Sequence, residues 1–490
     1  MDSSKTSDTP SFLFSFLLSA ENASKAFLLW CSLEVLFYFV INRLIYPRIK
    51  QLRAAPSHPP EKSPLECLAR LTDALHRLRG VYSPESFWSG WFKGAMHENI
   101  RRNNVKEFLC WAIWHVKSSE ELAKSDVLAL EKTVVLMERL QGKSFPAGHN
   151  PEVEHVAFTR EPLYFAHRLL IFYVVVKCAQ LMGHGFLLLT GHRRYVTPTH
   201  NLTYWHRPCQ QEEGSIKQPP LLFFHGISPG IWFYIPFLTR LGRGREIILL
   251  EVPHIVTQLS FEAPDRIETV QSLAEVLALH SISKCAVAGH SFGSIIAGWA
   301  ATAFPQHVKQ LVLIDPVCLL LCLPDVAVNF LYRSPPTNLF HRTLKDFIDP
   351  SSEITVSHAL RRHFWWYQNI CWLQDVSCPL VVALSSEDDI VPSTAIHYYV
   401  QRHYRMQEAV KHEKEDDAGE MTDQSNASGS GRLIYWRGIG HGQMLVSLKA
   451  QDRLIAAICK QAMESGLATR AEDIKNSGQK SVRRRRVTAA

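Results

Sequence analysis

The chain contains a serine, an aspartate and a histidine, far apart but in this order, whose residue types are those needed for acyl transfer. Ser291 lies in Gly289-His290-Ser291-Phe292-Gly293, a Gly-x-Ser-x-Gly pattern whose small residues leave room for a sharp turn around a nucleophile. A serine hydroxyl is a weak nucleophile and needs a histidine to accept its proton and a carboxylate to orient that histidine. Asp388 and His441 follow Ser291 in that order, so we predict these three as catalytic.

The segments around these residues predict a mostly parallel sheet wound with helices. A short apolar run precedes each residue: CAVAG before Ser291, LVVAL before Asp388 and RLIYW before His441. The helical pattern SIIAGWAATAF follows the serine. Sites in open parallel sheets lie beyond the carboxyl ends of the strands. From about residue 202 we therefore predict an α/β domain, with strands at 221–224, 246–252, 284–289, 310–315, 380–384 and 432–436.

Five landmarks in order carry a resemblance to a known family. They are His225-Gly226, the pattern at 289–293, LVLIDP at 311–316, the acid turn at 388–392, and Gly440-His441-Gly442. On these, residues from about 203 to 458 resemble the α/β-hydrolase superfamily of the AB hydrolase-1 type, in its lipase, esterase and peptidase-like branch. The resemblance implies an α/β-hydrolase fold with helices on both faces and a helical cap. It also implies a serine hydrolase that cleaves an ester, lipid or thioester through an acyl-enzyme.

The resemblance also suggests roles for single residues. In the family the acid stands four positions before the proline of its turn, which selects Asp388 over its neighbour Asp389. Asp315 occupies a position that a minority of members use for the acid, and we expect it to fix a strand-end turn instead. The backbone N–H groups of Phe292 and Ile227 are the expected oxyanion donors.

The sequence also departs from the family's pattern in one loop, and other functions are compatible with the same residues. Glu251-Val252-Pro253-His254-Ile255 stands where many members have Asp-x-Pro-Gly-x-Gly, so that loop's usual conformation is not expected. A serine nucleophile disfavours the epoxide hydrolase and haloalkane dehalogenase branches, which use aspartate. An acyltransferase or a peptidase would use the same residues, and an inactive membrane interaction protein could keep the fold. The chain has no HExxH, GxGxxG or Walker pattern, so no cofactor and no metal are predicted.

Two apolar stretches predict contact with a membrane. Residues 26–46, beginning AFLLWCSLEVLFYFVI, approach the length of a span and predict a membrane anchor. Glu34 near its middle indicates burial against another helix or a position in the interface. Basic residues follow the stretch, which predicts a single-pass protein with a cytosolic catalytic body, in an endomembrane for example. For the second stretch, Leu169 to Leu189, we expect a helix that packs on the protein or lies on the membrane surface.

The remaining ranges complete the predicted organisation. A polar N-terminus with a short apolar stretch (1–25) precedes the anchor, and a helical membrane-proximal region (47–200) follows it. Within that region, residues 98–112 (ENIRRNNVKEFLCWA) are similar to membrane-associated fungal-type members of the superfamily. The hydrolase domain is predicted at 201–465, with a cap at 317–377 and a disordered insertion at 412–431. A basic disordered tail (466–490) ends the chain.

Composition limits the possible partners. The net charge of +7 is modest and partly due to the arginines at 483–486, so we predict no nucleic-acid partner. Eleven scattered cysteines without a CxxC pair favour a reducing compartment, although three Asn-x-Ser/Thr sequons would be usable in a lumen. The predicted cap is apolar, with RRHFWWYQNICW near its end, and this favours a lipophilic small-molecule ester or lipid as substrate.

Overall fold

The computed structural model describes residues 20–58, 63–209, 216–333, 349–404, 421–425, 431–467 and 469–470. Its main element is a nine-stranded sheet with the strand order β1-β2-β5-β4-β6-β7-β8-β10-β9. The strands are β1 Arg193–Val196, β2 Thr203–Arg207, β4 Leu221–Phe224, β5 Ile247–Leu250, β6 Cys285–His290, β7 Val308–Ile314, β8 Leu380–Ser385, β9 Met421–Ser425 and β10 Gly431–Trp436. A separate pair consists of β3 Ile216–Lys217 and β11 Thr469–Arg470.

The six central strands, from β5 to β10 in the sheet order, run parallel, while β1, β2 and β9 pair antiparallel at the two edges. Strands β4, β5, β6 and β8 are buried along their whole length, as expected for parallel strands covered on both faces. Leu222 and Phe224 face one core, and Leu221 and Phe223 face the other. These features confirm the predicted α/β-hydrolase fold.

Helices cover both faces of the sheet. The chain continues after β4 into α8 Ile235–Leu241, which packs with α15 Leu448–Glu464 on one face. Helices α9 Arg266–Leu279, α10 Gly293–Ala303 and α14 Ser393–Tyr404 pack on the other. Between β7 and β8 lie the short helices α11 Asp325–Leu331, α12 Ile354–Arg362 and α13 Trp366–Asn369. They occupy the range predicted as a cap, of which residues 334–348 lie outside the described residues.

The N-terminal region is helical, as its periodicity predicts. It contains α3 Pro64–Arg77, α4 Pro84–Trp91, α5 Arg102–Leu109 and α6 Lys124–Gln141, with a π-helical turn at Cys110–Trp114. Trp88, Trp91 and Trp111 are almost fully buried in the same core as α9 and α10. These helices therefore pack directly on the hydrolase domain.

Three boundaries differ from the sequence prediction. The sheet begins at Arg193, before the predicted start of the domain at residue 201. Strand β9 lies inside the predicted disordered insertion at 412–431, and β11 lies inside the predicted disordered tail. Strand pairing uses backbone groups, so short edge strands such as MTDQS form without the apolar pattern that was sought. The rest of the tail, with its arginines, and most of the insertion lie outside the described residues.

The two apolar stretches form helices that contact each other. The first comprises α1 Ala20–Phe39, a π-helical turn at Val40–Ile45 and α2 Tyr46–Ile49, and the second is α7 Leu170–Leu189. Both are long and apolar enough to cross a membrane, which by itself is weak evidence, since core helices and signal sequences have the same properties. The Glu34 carboxylate accepts hydrogen bonds from the backbone N–H groups of Leu170 (2.8 Å) and Ile171 (3.4 Å). Of the two alternatives for Glu34, the structure therefore shows packing against another helix.

Candidate active site

The turn between β6 and α10 places Ser291 at the carboxyl end of the central strand. Its φ of +51° is strained for a residue with a side chain. The glycines on either side permit this turn, because a Cβ on Gly289 would lie 2.3 Å from the carbonyl oxygen of Gly293. A Cβ on Gly293 would lie 2.1 Å from the carbonyl oxygen of Phe224. The two glycines of the pattern at 289–293 therefore allow the turn to pack closely against β4.

The structure brings the three predicted catalytic residues together in a chain of hydrogen bonds. His441 Nε2 lies 2.9 Å from Ser291 Oγ, and His441 Nδ1 lies 2.7 Å from Asp388 Oδ2. The Asp388 side chain is fully buried, and its other oxygen accepts from the backbone N–H groups of Ile390 and Val391. An imidazole held in this way can accept a proton from the serine hydroxyl.

The neighbouring acids have other partners. Asp389 points outward and forms an ion pair with Arg333 at 2.8 Å, and its side chain is 65% exposed. Asp315 is fully buried and accepts from the backbone N–H of Ser385, the hydroxyl of Ser385 and the backbone N–H of Gly442. Asp315 thus ties β7 to β8 and to the turn that carries His441. This is the turn-fixing role that the sequence suggested for it.

Opposing effects set the protonation of this site. Burial disfavours the charged form of His441, but the hydrogen bond that His441 donates to Asp388 and the charges of Asp388, Asp315 and Asp389 outweigh it and raise the pKa of His441. Burial, together with the charge of Asp388, raises the pKa of Asp315 to about 6, although His441 and the bonds from Gly442 and Ser385 act against this. His441 is thus stabilised in the cationic form that a general base reaches during turnover.

The predicted oxyanion donors lie beside the serine. Phe292 follows Ser291 at the start of α10, and Ile227 follows Gly226 in the turn after β4. Both residues line the same cavity as Ser291. A Cβ on Gly226 would lie 2.8 Å from the Ser291 Cβ, so the two turns are in contact. The two turns that carry the predicted donors therefore lie side by side at Ser291.

Sequence reasoning missed the residue that joins these two turns. The hydroxyl of Tyr234 accepts from the backbone N–H of Gly226 at 2.9 Å and lies 2.9 Å from His290 Nδ1. Burial lowers the pKa of His290 strongly, so its imidazole is neutral and Nδ1 can accept the tyrosine proton. Tyr234 belongs to a 3₁₀ turn with the sequence IWFY, and nothing in that sequence marks it as part of the site.

The cavity in front of Ser291 is narrow and apolar, with a volume of about 50 Å³. Of the described residues that line it, only Ser291 carries a hydroxyl. Phe364 and Trp366 of the predicted cap contribute to it, as do Trp91 and Phe158 of the N-terminal region. The N-terminal helices, to which the sequence assigned no chemistry, therefore form part of the pocket wall.

Among the residues that the structure describes, two groups of His and acidic side chains have possible ligand atoms within 4.8 Å of one another. One comprises Asp315, Asp388 and His441, in which both nitrogens of His441 already bond to other residues. The second comprises His206, Glu246 and His280 at the sheet edge. There His206 bonds to Glu246 at 2.8 Å, and the His280 ring packs on that of His206 with centroids 3.9 Å apart. The first group is thus part of the site already described, and we assign no chemistry to the second.

The fold is that of an α/β hydrolase, with Ser291 at the turn after its central strand. Residues 221–426 match the model of the "Alpha/beta hydrolase family". The chain is 22% identical over 196 residues to a poly(3-hydroxyalkanoate) depolymerase from Ectopseudomonas oleovorans, an alignment that covers 35% of this chain and 69% of that protein.

Solved structures show only a distant likeness. A membrane phospholipase A described as a bacterial virulence factor is 18% identical, with a TM-score of 0.37, over 59% of this chain and 94% of its own. A carboxylesterase from the Thaumarchaeon Nitrososphaera gargenis is 15% identical, with a TM-score of 0.35, over 56% of this chain and 100% of its own.

Proposed function

We propose that the protein is a serine esterase in which Ser291 attacks an ester carbonyl, His441 transfers the proton and Asp388 orients His441. The backbone N–H groups of Phe292 and Ile227 would stabilise the oxyanion, and water would release the acyl group. The observation that carries the proposal is the position of His441, whose two nitrogens lie within 3 Å of a serine hydroxyl and a buried carboxylate.

The narrow apolar cavity supports a lipophilic acyl group. An acyl chain bound at Ser291 would contact Phe364 and Trp366 on one side and Trp91 on the other. The polymer for which the bacterial relative is named is a polyester, which is consistent with ester chemistry at this turn. We therefore propose an ester, lipid or thioester with an apolar acyl part as the substrate class.

Covalent labelling with a fluorophosphonate probe tests the nucleophile. The wild type should label, and Ser291→Ala should not. Asp388→Asn should reduce ester hydrolysis by about 10³-fold or more, because His441 loses the carboxylate that fixes its orientation. Asp389→Asn is the matched control: it changes the adjacent, exposed carboxylate and should leave the rate close to that of the wild type. Equal labelling of wild type and Ser291→Ala would exclude the proposal.

We also propose that residues 26–46 anchor the protein to a membrane, with the catalytic body on the cytosolic side. The support is a row of exposed apolar side chains on α1, including Phe27, Leu28, Leu29, Val35 and Leu36. Replacing Leu28, Leu29 and Leu36 with serine should move the protein from the carbonate-washed membrane pellet to the supernatant. An unchanged pellet fraction would contradict the anchor, and protease protection of the catalytic body in sealed vesicles would contradict the cytosolic orientation.

A further inference from the structure

A second cavity adjoins the apolar one. It has a volume of about 260 Å³ and lies between the carboxyl end of β5, helices α9 and α10, and the segment 359–369. Phe292 and Phe364 line both cavities, with ring centroids 6.2 Å apart. The two cavities therefore meet at these two side chains, next to Ser291.

The lining of the second cavity mixes apolar and polar residues, whereas Ser291 is the only hydroxyl-bearing residue among those described around the first. It includes two arginines, two histidines and two amides: Arg53, Arg266, His254, His363, Gln368 and Asn369. The carboxylate of Asp265 also lies at its edge, but it accepts from the backbone N–H of Glu268 as the cap of α9. The arginines outnumber this single acid, so the cavity has a positive balance of charge.

His254 lies in the loop that departs from the family pattern. It is nine-tenths buried, and its Nδ1 has no hydrogen-bond partner within the part of the chain that the structure describes. Burial, and then the neighbouring His225 and His358, lower its pKa to about 3, so the imidazole is neutral. A buried polar nitrogen without a partner is costly unless a ligand or water satisfies it. His254, which lines this cavity, thus carries a buried hydrogen-bonding nitrogen without a partner among the described residues.

Arg53 brings a charge without a compensating acid. Its guanidinium donates to His363 Nδ1 at 2.8 Å, and no carboxylate among the described residues lies within ion-pair distance of it. Burial, followed by the charge of Arg53, lowers the pKa of His363 to about 3, so this histidine stays neutral and leaves the arginine's charge in place. Guanidinium groups bind carboxylates and phosphates through short, charge-assisted hydrogen bonds.

We propose that the second cavity binds the negatively charged end of the substrate, a carboxylate or a phosphate, while the ester bond lies at Ser291. The substrate is then an amphiphilic ester with an apolar part against Trp91 and Phe364 and a carboxylate or phosphate group near Arg53. This inference rests on the proposed esterase function, but the binding of the anion can be measured without turnover.

Calorimetric titration of the full-length Ser291→Ala protein in detergent tests the binding step. Hexanoate and hexyl phosphate are the anionic probes, and hexanol is the neutral one. Arg53→Gln should weaken binding of the preferred anion by about ten-fold, the loss expected for one charge-assisted hydrogen bond, and leave hexanol unaffected. Arg48→Gln is the matched control, because Arg48 is exposed in the same segment and does not line the cavity. Equal binding by Arg53→Gln and the parent would overturn the proposal.

Kinetics separate this inference from the esterase proposal. The wild type and Arg53→Gln are compared on two esters. Mono-4-nitrophenyl glutarate carries a carboxylate at the end of its acyl part, and 4-nitrophenyl butyrate does not. Arg53→Gln should raise KM about ten-fold for the glutarate ester alone, with kcat little changed. An equal change for both esters would overturn the anion site and leave the esterase proposal intact. If the protein bound hexanoate in an Arg53-dependent way but hydrolysed neither ester, the anion site would be supported and the esterase proposal would be contradicted.

Discussion

The hydroxyl of Tyr234 forms hydrogen bonds to both turns of the candidate site, so Tyr234→Phe isolates the contribution of these bonds. The substitution removes a single oxygen and keeps the ring, which packs against Phe223 and His290 in the buried core. It leaves the backbone N–H of Gly226 and the Nδ1 atom of His290 without their partner. Both groups lie in a buried setting, where water cannot easily replace the hydroxyl.

The expected cost follows from the number of groups left unsatisfied. A buried donor or acceptor without a partner costs about 1–3 kcal/mol, so two such groups predict a loss of about 3 kcal/mol in the free energy of unfolding. Catalysis should suffer as well, because Gly226 immediately precedes the predicted oxyanion donor Ile227. A small displacement of that N–H should lower kcat about ten-fold with little change in KM, since the contact strengthens in the transition state.

Urea unfolding in detergent, followed by tryptophan fluorescence, measures the stability change, and initial rates on 4-nitrophenyl butyrate measure kcat. Tyr399→Phe is the control, because the buried Tyr399 donates a long hydrogen bond of 3.4 Å to Gln374. Its removal should cost about 1 kcal/mol or less and leave kcat unchanged. If Tyr234→Phe were no more destabilising than Tyr399→Phe, the role assigned to this hydroxyl would be wrong.

Three further substitutions and conditions test other parts of the site and its support. The value of kcat/KM should fall as the pH drops through the pKa of His441, which lies above its ordinary value of 6.5, and Asp388→Asn should move this acidic limb to lower pH. A persistent limb at the wild-type position would contradict the cause given for the raised pKa. Gly293→Ala should abolish fluorophosphonate labelling, because its Cβ would overlap a carbonyl of β4, whereas Gly185→Ala, whose Cβ meets nothing within 4 Å, should label normally. Glu34→Ala should destabilise the protein to heat by about 1 kcal/mol through loss of a helix cap, and Glu34→Gln, which keeps an acceptor, by less; equal losses would argue against capping.

The parallel part of the sheet was predictable because buried strands leave a simple signal. Six short apolar runs were placed within a few residues of the strands that form, including the one before Ser291. The edge strands were missed, since exposed strands such as Arg193–Val196 carry no continuous apolar run. The buried face of the predicted anchor could not be predicted from the sequence, again for a physical reason. Burial of Phe37 and Ile41 depends on contacts with distant residues, which no local pattern reveals.

For the site, three residues could be predicted from their order along the chain and from the turns that contain them. The structure brings these three residues within hydrogen-bond distance of one another. Their catalytic roles stay predictions until Ser291 is labelled. The supporting contacts were beyond reach, because they join segments far apart in sequence. Tyr234 and His290 are 56 positions apart, and Asp315 and Gly442 are 127 apart. Both pairs depend on the crossing order of the strands, which the sequence does not state directly.

The contact between Glu34 and the start of α7 links the two apolar helices into one folding unit. Residues 34 and 170 are separated by more than a hundred positions. The Glu34 carboxylate therefore cannot accept the hydrogen bond from the start of α7 until the chain has been synthesised past residue 170. A carboxylate left alone in an apolar setting is costly, so the position of Glu34 is favourable only once α7 has packed against α1. Removing residues 20–49 to obtain a soluble fragment would uncap α7 and expose the face of Tyr173 and Ile354 that Phe37 and Ile41 cover. A shortened chain should therefore aggregate unless α7 is changed with it.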